Sequence, residues 1–480
     1  MSDPVILREA ILATPLETSN FGEEPRPGTM YVPPAHIKTL QLESNLVVGA
    51  RGVGKSFWTA ALSSKPLREH LGMAIPELDR TDVGIGFSSK PSVDRYPNEE
   101  GFSGMLDSGT DPTDIWRAVV FRWVDGLDKS LGKRGVLPRE SWADTVGWIK
   151  RNWEDASRLI ERVHDNLVEE KRYGLILFDA LDRTSNDWKN MDTIVRGLLR
   201  TVLWLKSFPN LNAKVFLRDD QFERTVTDFP DASKLTATKT DLSWARHDLH
   251  GLLWQRFVNA PQPHGALLRD LYCQTTGGRL DEKNGIFELA PEIKRESDLQ
   301  KKLFEALAGP WMGKDPRRGA PYTWVVGHLS DGRGQTSPRS FLSAIQHAAE
   351  DSRSRYGSYP LPLHYESLKR GIQQASHIRV DEMAEDYPWV RRVLETLQGL
   401  NVPCNYPQLR ERWSTRFPEG PGGIRTDKLP APQAKRGWEG IRDDLKRLGV
   451  LDIKRDGRID MPDIYRVGFG LGRKGGVRPK

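Results

Sequence analysis

Short apolar runs and alternating stretches predict a set of buried strands. Unbroken apolar runs occur at Leu46–Val48, Val83–Phe87 and Tyr173–Phe178, and a further one, Val215–Leu217, lies within the predicted strand Lys214–Asp220. The stretch Leu235–Leu242 has Thr at every second position between its two leucines, and this alternation predicts a last core strand. Helical segments separate these runs, so we expect an α/β fold with a parallel sheet.

Apolar spacings of three and four residues predict amphipathic helices at Pro112–Leu127, Asn190–Phe208 and Trp244–Phe257. The strictest stripe lies in Trp142–Leu167 and predicts one long helix. Such a stripe serves either a coiled-coil partner or packing within its own domain. The run lasts fewer than four heptads, which favours packing within the domain.

The last part of the chain, residues 387–480, has its own pattern. Three helices are predicted at Trp389–Leu397, Tyr406–Trp413 and Trp438–Leu448. Two short strands then flank an Asp-Gly turn within Val450–Met461, which predicts a hairpin. Three helices followed by a hairpin resemble a winged helix.

Gly49–Ser56 has the spacing G-x-x-x-x-G-K-[ST] between a predicted strand and a predicted helix. Its glycines let successive backbone N–H groups point at phosphate oxygens, and the helix start favours negative charge. Lys55 is predicted to reach the β- and γ-phosphates of ATP, and Ser56 to hold Mg²⁺. The alternative is a chance glycine-rich turn. The predicted ATP-binding residues are Gly49, Arg51, Gly52, Val53, Gly54, Lys55, Ser56 and Phe57.

A second motif is Asp179, which directly follows the apolar run Tyr173–Phe178. In P-loop NTPases a carboxylate at this place accepts a bond from Mg²⁺ or its water. Asp179 is therefore predicted as a metal ligand together with Ser56, on a strand beside the P-loop strand. The long interval between the two motifs predicts a helical insertion at about residues 105–169.

These motifs resemble the KAP and STAND-like P-loop ATPases of bacteria, which are related to AAA+ proteins, over about residues 35–350. KAP proteins carry Asp-Asp-Leu-Asp-Arg after the apolar run, whereas this chain has Ala180 at the second position. The resemblance implies that Asp182 takes over part of the missing acid's role, or that hydrolysis is slow. It also implies that Arg183 acts on the nucleotide of its own subunit or of a neighbour.

The AAA+ pattern implies two further catalytic arginines that contact the γ-phosphate. Arg218 follows a predicted strand, and its alternative role is that of a surface arginine paired to Asp219 or Asp220. Arg339 begins a predicted lid helix that Ser337 can cap. Its alternative role is a hydrogen bond to nearby backbone.

Composition narrows the class of protein. The 480 residues carry a net charge of +6, which permits nucleic-acid binding without requiring it. No apolar run is long enough to span a membrane, and the N-terminus lacks a signal-peptide pattern, so we expect a cytoplasmic protein without a membrane partner. The two cysteines and ten histidines show no metal-ligand spacing.

The pattern divides the chain into four predicted parts. These are a lead-in at 1–40, a P-loop ATPase core at 41–260, a helical lid at 261–386 and the winged-helix-like domain at 387–480. The proline-rich lead-in is interpreted as an extended segment that covers the nucleotide site or a neighbouring subunit. The alternative is a partly ordered tail.

Basic residues of the last domain are candidates for contact with DNA. Acidic residues on the same helix are unusual in a dedicated major-groove reader, so docking to a protein is the alternative. The tail is expected to be flexible and to contribute no apolar core position after Val467. The candidates are Arg442, Lys446 and Arg447 on the third helix and Arg473, Lys474, Arg478 and Lys480 in the tail.

We therefore expect an Mg²⁺-dependent ATPase that works as a switch or assembly protein, as a homo-oligomer or with a partner protein of the same operon. The resemblance implies a bacterial antiviral or mobile-element conflict system. One alternative is a DNA-binding loader in replication or transposition, which the winged helix and basic tail favour. The other is a nucleotide-binding scaffold that does not hydrolyse ATP, which Ala180 favours.

Overall fold

The computed structural model describes residues 3–16, 25–130, 136–222, 225–426, 430–474 and 477–479. It divides into two compact units. The P-loop unit comprises Pro34–Ser243 and a short stretch before Gly28. The C-terminal unit comprises Gly28–Pro33, the chain from Trp244 onward and the N-terminal residues. The domain boundaries at residues 41, 261 and 387 stay a prediction.

Strands and helices alternate in the first half of the chain, and helices dominate the second. The strands are β1 Leu46–Val48, β2 Thr81–Phe87, β3 Tyr173–Phe178, β4 Leu211–Leu217, β5 Thr240–Asp241, β6 Asp281–Lys283, β7 Ile286–Glu288, β8 Asp452–Ile453 and β9 Ile459–Asp460. The helices up to residue 236 are α1 Pro4–Ala13, α2 Pro34–Leu40, α3 Lys55–Ser63, α4 Lys65–Gly72, α5 Glu99–Asp107, α6 Pro112–Ser130, α7 Trp142–Arg151, α8 Trp153–Glu169, α9 Trp188–Leu205, α10 Asp219–Phe222 and α11 Ser233–Thr236. The later helices are α12 Arg246–Val258, α13 His264–Thr276, α14 Asp298–Ala308, α15 Pro321–Leu329, α16 Pro338–Arg355, α17 Tyr365–Asp386, α18 Pro388–Glu395, α19 Tyr406–Arg416, α20 Trp438–Arg447 and α21 Asp463–Arg466.

The P-loop unit is built on a parallel sheet with the order β2-β3-β4-β1-β5, which confirms the predicted α/β fold. The expectation that the Asp179 strand lies beside the P-loop strand is wrong. β4 lies between them, because it pairs with β1 on one side and β3 on the other. Parallel strands end at the same edge of a sheet, so the residues after β1, β3 and β4 still share one edge.

The predicted helical insertion between β2 and β3 packs on the sheet through α6. A Cβ atom at Gly84 of β2 would lie 2.3 Å from the Trp123 ring, and one at Gly174 of β3 would lie 3.0 Å from it. Glycine at these two positions leaves room for the indole. The Trp-rich insertion is therefore part of the unit's core.

The single helix expected over Trp142–Leu167 is two helices. Asn152 has φ −120° and ψ 46°, which ends α7 before α8 begins. Trp153 is 65% exposed and leaves the stripe, whereas Ile160, Val163 and Leu167 are buried. Both helices pack against α6, so the stripe serves its own unit as favoured.

Two other elements differ from expectation. The predicted strand over Leu235–Leu242 is helical in α11, and only Thr240–Asp241 pairs with β1. The lead-in contains the helices α1 and α2 instead of one extended segment. α1 packs against α13 and α16, and its buried Arg8 donates a hydrogen bond of 2.8 Å to the carbonyl oxygen of Pro362.

A buried lysine fixes the segment before β1. Lys214 of β4 is fully buried, and its ammonium donates hydrogen bonds to the carbonyl oxygens of Thr39, Gln41 and Ser44 at 2.7, 2.9 and 2.6 Å. A buried charge is tolerated when it is hydrogen-bonded in this way. The P-loop strand therefore enters the sheet from a fixed segment.

The end of the C-terminal unit is the predicted winged helix. α18, α19 and α20 precede the antiparallel hairpin β8–β9. Cys404, between α18 and α19, exchanges two backbone hydrogen bonds with Ile459 of β9, which adds a third short strand position to the wing. Among the described residues, no helix combines the length and apolar character needed to cross a membrane.

The expectation of a flexible tail without core positions is wrong for the described residues. Phe469, Leu471 and Val477 are 6%, 0% and 1% exposed. The amide of Gly472 donates to the carbonyl oxygen of Leu400 at 2.9 Å. The apolar side chains after Val467 therefore hold this segment on the winged helix.

Candidate functional site

The P-loop turns tightly between β1 and α3. Gly52 and Gly54 have φ values of 80° and 104°, which L side chains rarely adopt. A Cβ atom at Gly49 would lie 2.9 Å from both the carbonyl oxygen of Leu242 and the Val53 side chain. Glycine is therefore required at all three positions. α3 begins at Lys55 without a side-chain cap, so its first N–H groups are available to an anion.

Lys55 lies over the loop that precedes it. Its ammonium donates hydrogen bonds to the carbonyl oxygens of Gly49 and Ala50, both at 2.8 Å. Burial lowers the pKa of Lys55 to about 8, and repulsion from Arg218 adds to the decrease. The carboxylate of Asp179 attracts the ammonium and opposes the shift. A phosphate in the loop would favour the charged form of Lys55 further.

The other predicted ATP-binding side chains lie in the loop and in the first turn of α3. Val53 is 2% exposed and supports the loop from inside, while Arg51 is half-buried. Phe57 is half-buried in the first turn of α3 and packs edge-on against Trp58, with ring centroids 5.1 Å apart. Arg51, Lys55 and Ser56 are therefore the polar side chains of the loop and of the start of α3.

The two predicted metal ligands meet at the carboxyl edge of the sheet. Asp179, directly after β3, is 4% exposed and accepts a hydrogen bond from Ser56 of α3. Burial raises the pKa of the Asp179 carboxyl, and the Ser56 hydroxyl, the Ala180 amide and the Lys55 charge oppose that rise. A carboxylate and a hydroxyl oxygen are ligands that suit Mg²⁺.

These residues fit Mg²⁺ bound jointly with a nucleotide. Within the described ranges, the structure holds no cluster of three or more His, Cys, Asp or Glu side chains that could bind a metal ion. Mg²⁺ commonly takes one or two protein ligands together with substrate phosphates. Ser56 and Asp179 supply two such protein ligands next to the loop that would bind the phosphates.

The residues after Asp179 form a short turn. Ala180 has φ 56° and ψ 36°, in the left-handed region that residues other than glycine seldom occupy. Asp182 is half-buried, with its Oδ2 atom 3.6 Å from Nη1 of Arg218. Arg183 is exposed, and its Nη1 donates to the Ser89 carbonyl oxygen at 3.4 Å.

Arg218 interacts with residues that follow β1, β3 and β4. It follows β4, its side chain is 13% exposed, and its Nε lies 3.1 Å from Oδ1 of Asp220. The pairing to Asp220 named as the alternative role is therefore present, but the guanidinium also faces Asp182 and acts on Lys55. Its role toward a γ-phosphate stays a prediction.

Sequence reasoning missed the contribution of two acids to this site. Asp219 and Asp220 begin α10, and their charges act on Lys55. Asp220 is 7% exposed and orients Arg218. The available signal was their position directly after a strand of the sheet, although the sequence does not reveal that this strand lies next to β1.

Arg339 belongs to the C-terminal unit. It lies in the first turn of α16, where the Ser337 hydroxyl caps the helix as predicted by accepting from the Ser340 amide at 3.2 Å. Its guanidinium is paired to Glu382 of α17 at 2.5 Å and is 47% exposed. Its contact with nucleotide stays a prediction.

The candidate nucleic-acid residues fall into two groups. Three are held in local ion pairs: Arg442 with Asp443 at 2.8 Å, Arg447 with Asp444 at 3.1 Å, and Arg473 with Asp463 at 3.1 Å. Lys446, Lys474 and Arg478 are exposed. Lys480 lies outside the described residues. The ion pair of Arg473 with Asp463 helps to hold the folded tail, and the contact of Arg473 with DNA stays a prediction.

Comparison with known proteins gives remote likenesses. No family model matches the chain, and a search of curated proteins finds no match. The Aeropyrum pernix ORC2 protein, in ADPNP–ADP complexes, is 13% identical, with a TM-score of 0.41, and the match covers 92% of this chain and 94% of that one. The Aeropyrum pernix ORC1 protein in complex with DNA is 12% identical, with a TM-score of 0.34 and coverages of 96% and 93%. Likenesses at this level carry no argument about what this chain does, and the KAP-like assignment stays a prediction.

Proposed function

We propose that this protein binds Mg-ATP in the P-loop unit and hydrolyses it. ATP binding and hydrolysis would then switch the protein between two functional states. The observation that carries the proposal is the contact between the Ser56 hydroxyl and the buried Asp179 carboxylate. This contact lies beside a glycine-rich turn that ends at an uncapped helix start. A buried carboxylate next to an anion-binding loop is suited to hold a metal ion together with the phosphates of a nucleotide.

Binding is divided among three groups in this proposal. The N–H groups of the loop and of the first turn of α3 bind phosphate oxygens. Lys55 exchanges its bonds to Gly49 and Ala50 for the β- and γ-phosphates. Ser56 and Asp179 are the residues that would hold Mg²⁺, which would supply positive charge to neutralise those phosphates.

Hydrolysis is assigned to the acids and the arginine at the ends of β3 and β4. Asp182 accepts a proton from the attacking water, because it is the half-buried acid that follows Asp179 in the same turn. Arg218, 3.6 Å from Asp182, orients that carboxylate and offsets negative charge near the γ-phosphate. Asp220 holds the arginine in place.

Phosphate release under Mg-ATP saturation tests this division of roles. Asp179→Asn and Asp182→Asn are expected to lower turnover at least about tenfold while ATP binding remains measurable. Asp187→Asn is the matched control, because this N-cap of α9 keeps its capping oxygen after the same change. Normal turnover in the Asp182 variant would return that residue to a structural role, and normal turnover in both would contradict the proposed site.

The winged helix favours a second role in which the ATPase engages DNA, as a loader would. The carrying observation is the helix–hairpin arrangement of α18–α20 and β8–β9 with exposed Lys446 on its third helix. Exposed Lys474 and Arg478 in the tail would add phosphate contacts. Three further points stay predictions: association with other copies of the chain, action of Arg183 on the nucleotide of a neighbouring subunit, and a role in antiviral or mobile-element conflict.

Fluorescence anisotropy with unrelated DNA duplexes at several salt concentrations tests the second role. Lys446→Glu and Arg478→Glu should weaken binding to all duplexes alike and flatten the salt slope by about 0.9 for each DNA phosphate that is no longer neutralised. Lys302→Glu, an exposed position on α14 with the same charge change, is the control. An unchanged slope in the winged-helix variants would assign the domain to protein docking instead.

A further inference from the structure

A second cleft lies in the P-loop unit, apart from the P-loop. Its volume is about 680 Å³, within the range of small-molecule sites. The walls are formed by the first turns of α6, the end of α9 and the segment 229–234 that leads into α11. None of the residues Gly49–Phe57 lines it, so its ligand would not be the ATP of the proposed site.

The charge of this cleft is strongly positive. Arg117, Arg200, Lys206 and Lys234 line it, and Asp231 is the acid among its lining residues. Lys234 is neutralised by Asp231 at 3.1 Å. The other three cations have no ion pair with any described residue within 4.0 Å, although Arg200 also interacts electrostatically with Asp111 at longer range. Cations gathered in a concave surface attract an anionic ligand.

Aromatic rings hold two of these cations. The guanidinium of Arg117 lies over the Trp204 ring, 5.0 Å from its centroid, and that of Arg200 lies 5.7 Å from the Phe229 centroid. Cation–π contacts position a guanidinium while leaving its N–H groups for other acceptors. The buried Nε of Arg117 has no hydrogen-bond acceptor among the described residues. An acceptor supplied by a ligand would remove the cost of that unsatisfied donor.

Arginine forks next to aromatic rings are the chemistry that recognises a phosphate attached to a planar base. Guanidinium groups bind phosphate oxygens in pairs, and bases stack on guanidinium planes as well as on aromatic rings. We propose that the cleft lined by Arg117, Arg200, Trp204 and Lys206 binds a nucleoside phosphate, either as a free nucleotide or as one unit of a single-stranded nucleic acid. The site is independent of the proposed ATP site and goes beyond it.

The test measures binding of two probes to the full chain. The probes are AMP, which lacks the β- and γ-phosphates that a P-loop contacts, and a ten-residue oligothymidylate with a 5′-phosphate. The test variant is Arg200→Glu combined with Lys206→Glu, because both side chains are exposed and their replacement leaves the core intact. The controls are Arg80→Glu, an exposed position outside the cleft, and Lys55→Ala, which disables the P-loop.

The double variant is expected to lose at least about tenfold in affinity for a probe that the wild type binds, whereas both controls stay within about twofold. Binding of AMP identifies free nucleotide as the ligand. Binding of the oligonucleotide alone identifies a strand, and its salt slope should then flatten by about 1.4 in the double variant. The proposal would be overturned if neither probe binds the wild type. It would also be overturned if the wild type and the double variant bind a probe equally well. Retained binding in Lys55→Ala separates this result from any failure of the ATP site.

Discussion

Ala180, the residue that follows the Asp179 carboxylate, carries backbone strain. Its φ of 56° and ψ of 36° place an alanine in the left-handed region, at a cost of about 1–2 kcal/mol. Such strain persists where the surrounding structure enforces it, and it is common at functional sites. Here the turn places Asp179 and Asp182 in one site. The KAP-like pattern has Asp at this position, a residue that tolerates the conformation better.

Replacing Ala180 by glycine should therefore stabilise the protein by about 1 kcal/mol, because glycine adopts the left-handed region without strain. Ala143→Gly, at an exposed position within helix α7, should destabilise it by about the same amount. Urea unfolding of both variants checks the opposite signs. A loss of stability in Ala180→Gly would show that the turn is not strained.

Lys55 gives nucleotide binding a specific pH dependence. Its pKa is about 8 in the folded protein, and phosphates favour the charged form. Binding of ATP should therefore take up a proton, about three quarters of one at pH 8.5 and about a tenth at pH 7, and affinity should fall as pH rises above 8. Calorimetry in buffers of different ionisation enthalpy measures this uptake. Lys55→Arg, which is always charged, should bind without it, and equal uptake by both proteins would contradict the assignment.

At the scale of elements, the segment after Val467 belongs to the winged-helix core. Leu471 is 0% exposed, so Leu471→Ala should cost about 3 kcal/mol through reduced burial and a residual cavity. Arg478→Ala, at an exposed position of the same segment, should change stability by less than about 0.5 kcal/mol. Chemical denaturation followed by tryptophan fluorescence distinguishes the two. An unchanged free energy of unfolding in Leu471→Ala would show that the segment after Val467 is not part of the winged-helix core.

Sequence reasoning correctly predicted the helices and strands whose pattern of apolar and polar residues is contained within the element itself. Continuous apolar runs predicted β2 and β3, and three- and four-residue spacing predicted α9 and α12. The break at Asn152 was missed because the apolar stripe continues through it, although Trp153 turns out to solvent. The pattern over Leu235–Leu242 predicted a strand where α11 forms, because this stretch has leucine only at its two ends, too few large apolar residues to distinguish a strand from a helix.

The residues of the candidate site that belong to a sequence motif could be predicted from the sequence, and the others could not. The P-loop spacing and the acid after an apolar run singled out Lys55, Ser56 and Asp179, which lie near one another in the structure. Their strands are not neighbours as predicted, because β4 lies between β1 and β3. The involvement of Asp220 depends on the strand order, because β4 lies next to β1. Strand order comes from long-range pairing, which a single sequence does not display.

At the scale of the whole molecule, each unit contains a buried histidine. His36 in the P-loop unit and His250 in the C-terminal unit are both 0% exposed, and burial lowers their pKa values to about 4 and about 3. Their Nε2 atoms are hydrogen-bonded to the carbonyl oxygens of Ser243 at 2.8 Å and Tyr322 at 3.0 Å. Unfolding raises both pKa values to the ordinary range, so the unfolded chain binds more protons below pH 6.5.

Both units should therefore lose stability as pH falls from 6.5, by about 2 kcal/mol for each histidine at pH 5. Calorimetric unfolding at pH 7.5 and pH 5.0 measures the loss. His250→Gln should reduce the acid-induced loss in the C-terminal unit, whereas His377→Gln, at a partly exposed position of α17, should leave it unchanged. An equal acid response in both variants would show that His250 does not contribute.

The central claim is that Lys55 and the loop around it bind the phosphates of ATP. Isothermal titration of the full chain with Mg-ATP tests it most directly, using Lys55→Ala and, as a matched control, Lys65→Ala at the exposed start of the next helix. We predict one ATP bound at the P-loop by the wild type and by Lys65→Ala, and a loss of affinity of at least about a hundredfold in Lys55→Ala, because the loop loses its cation. Equal affinities for Mg-ATP in all three proteins, at the same stoichiometry, would contradict the account.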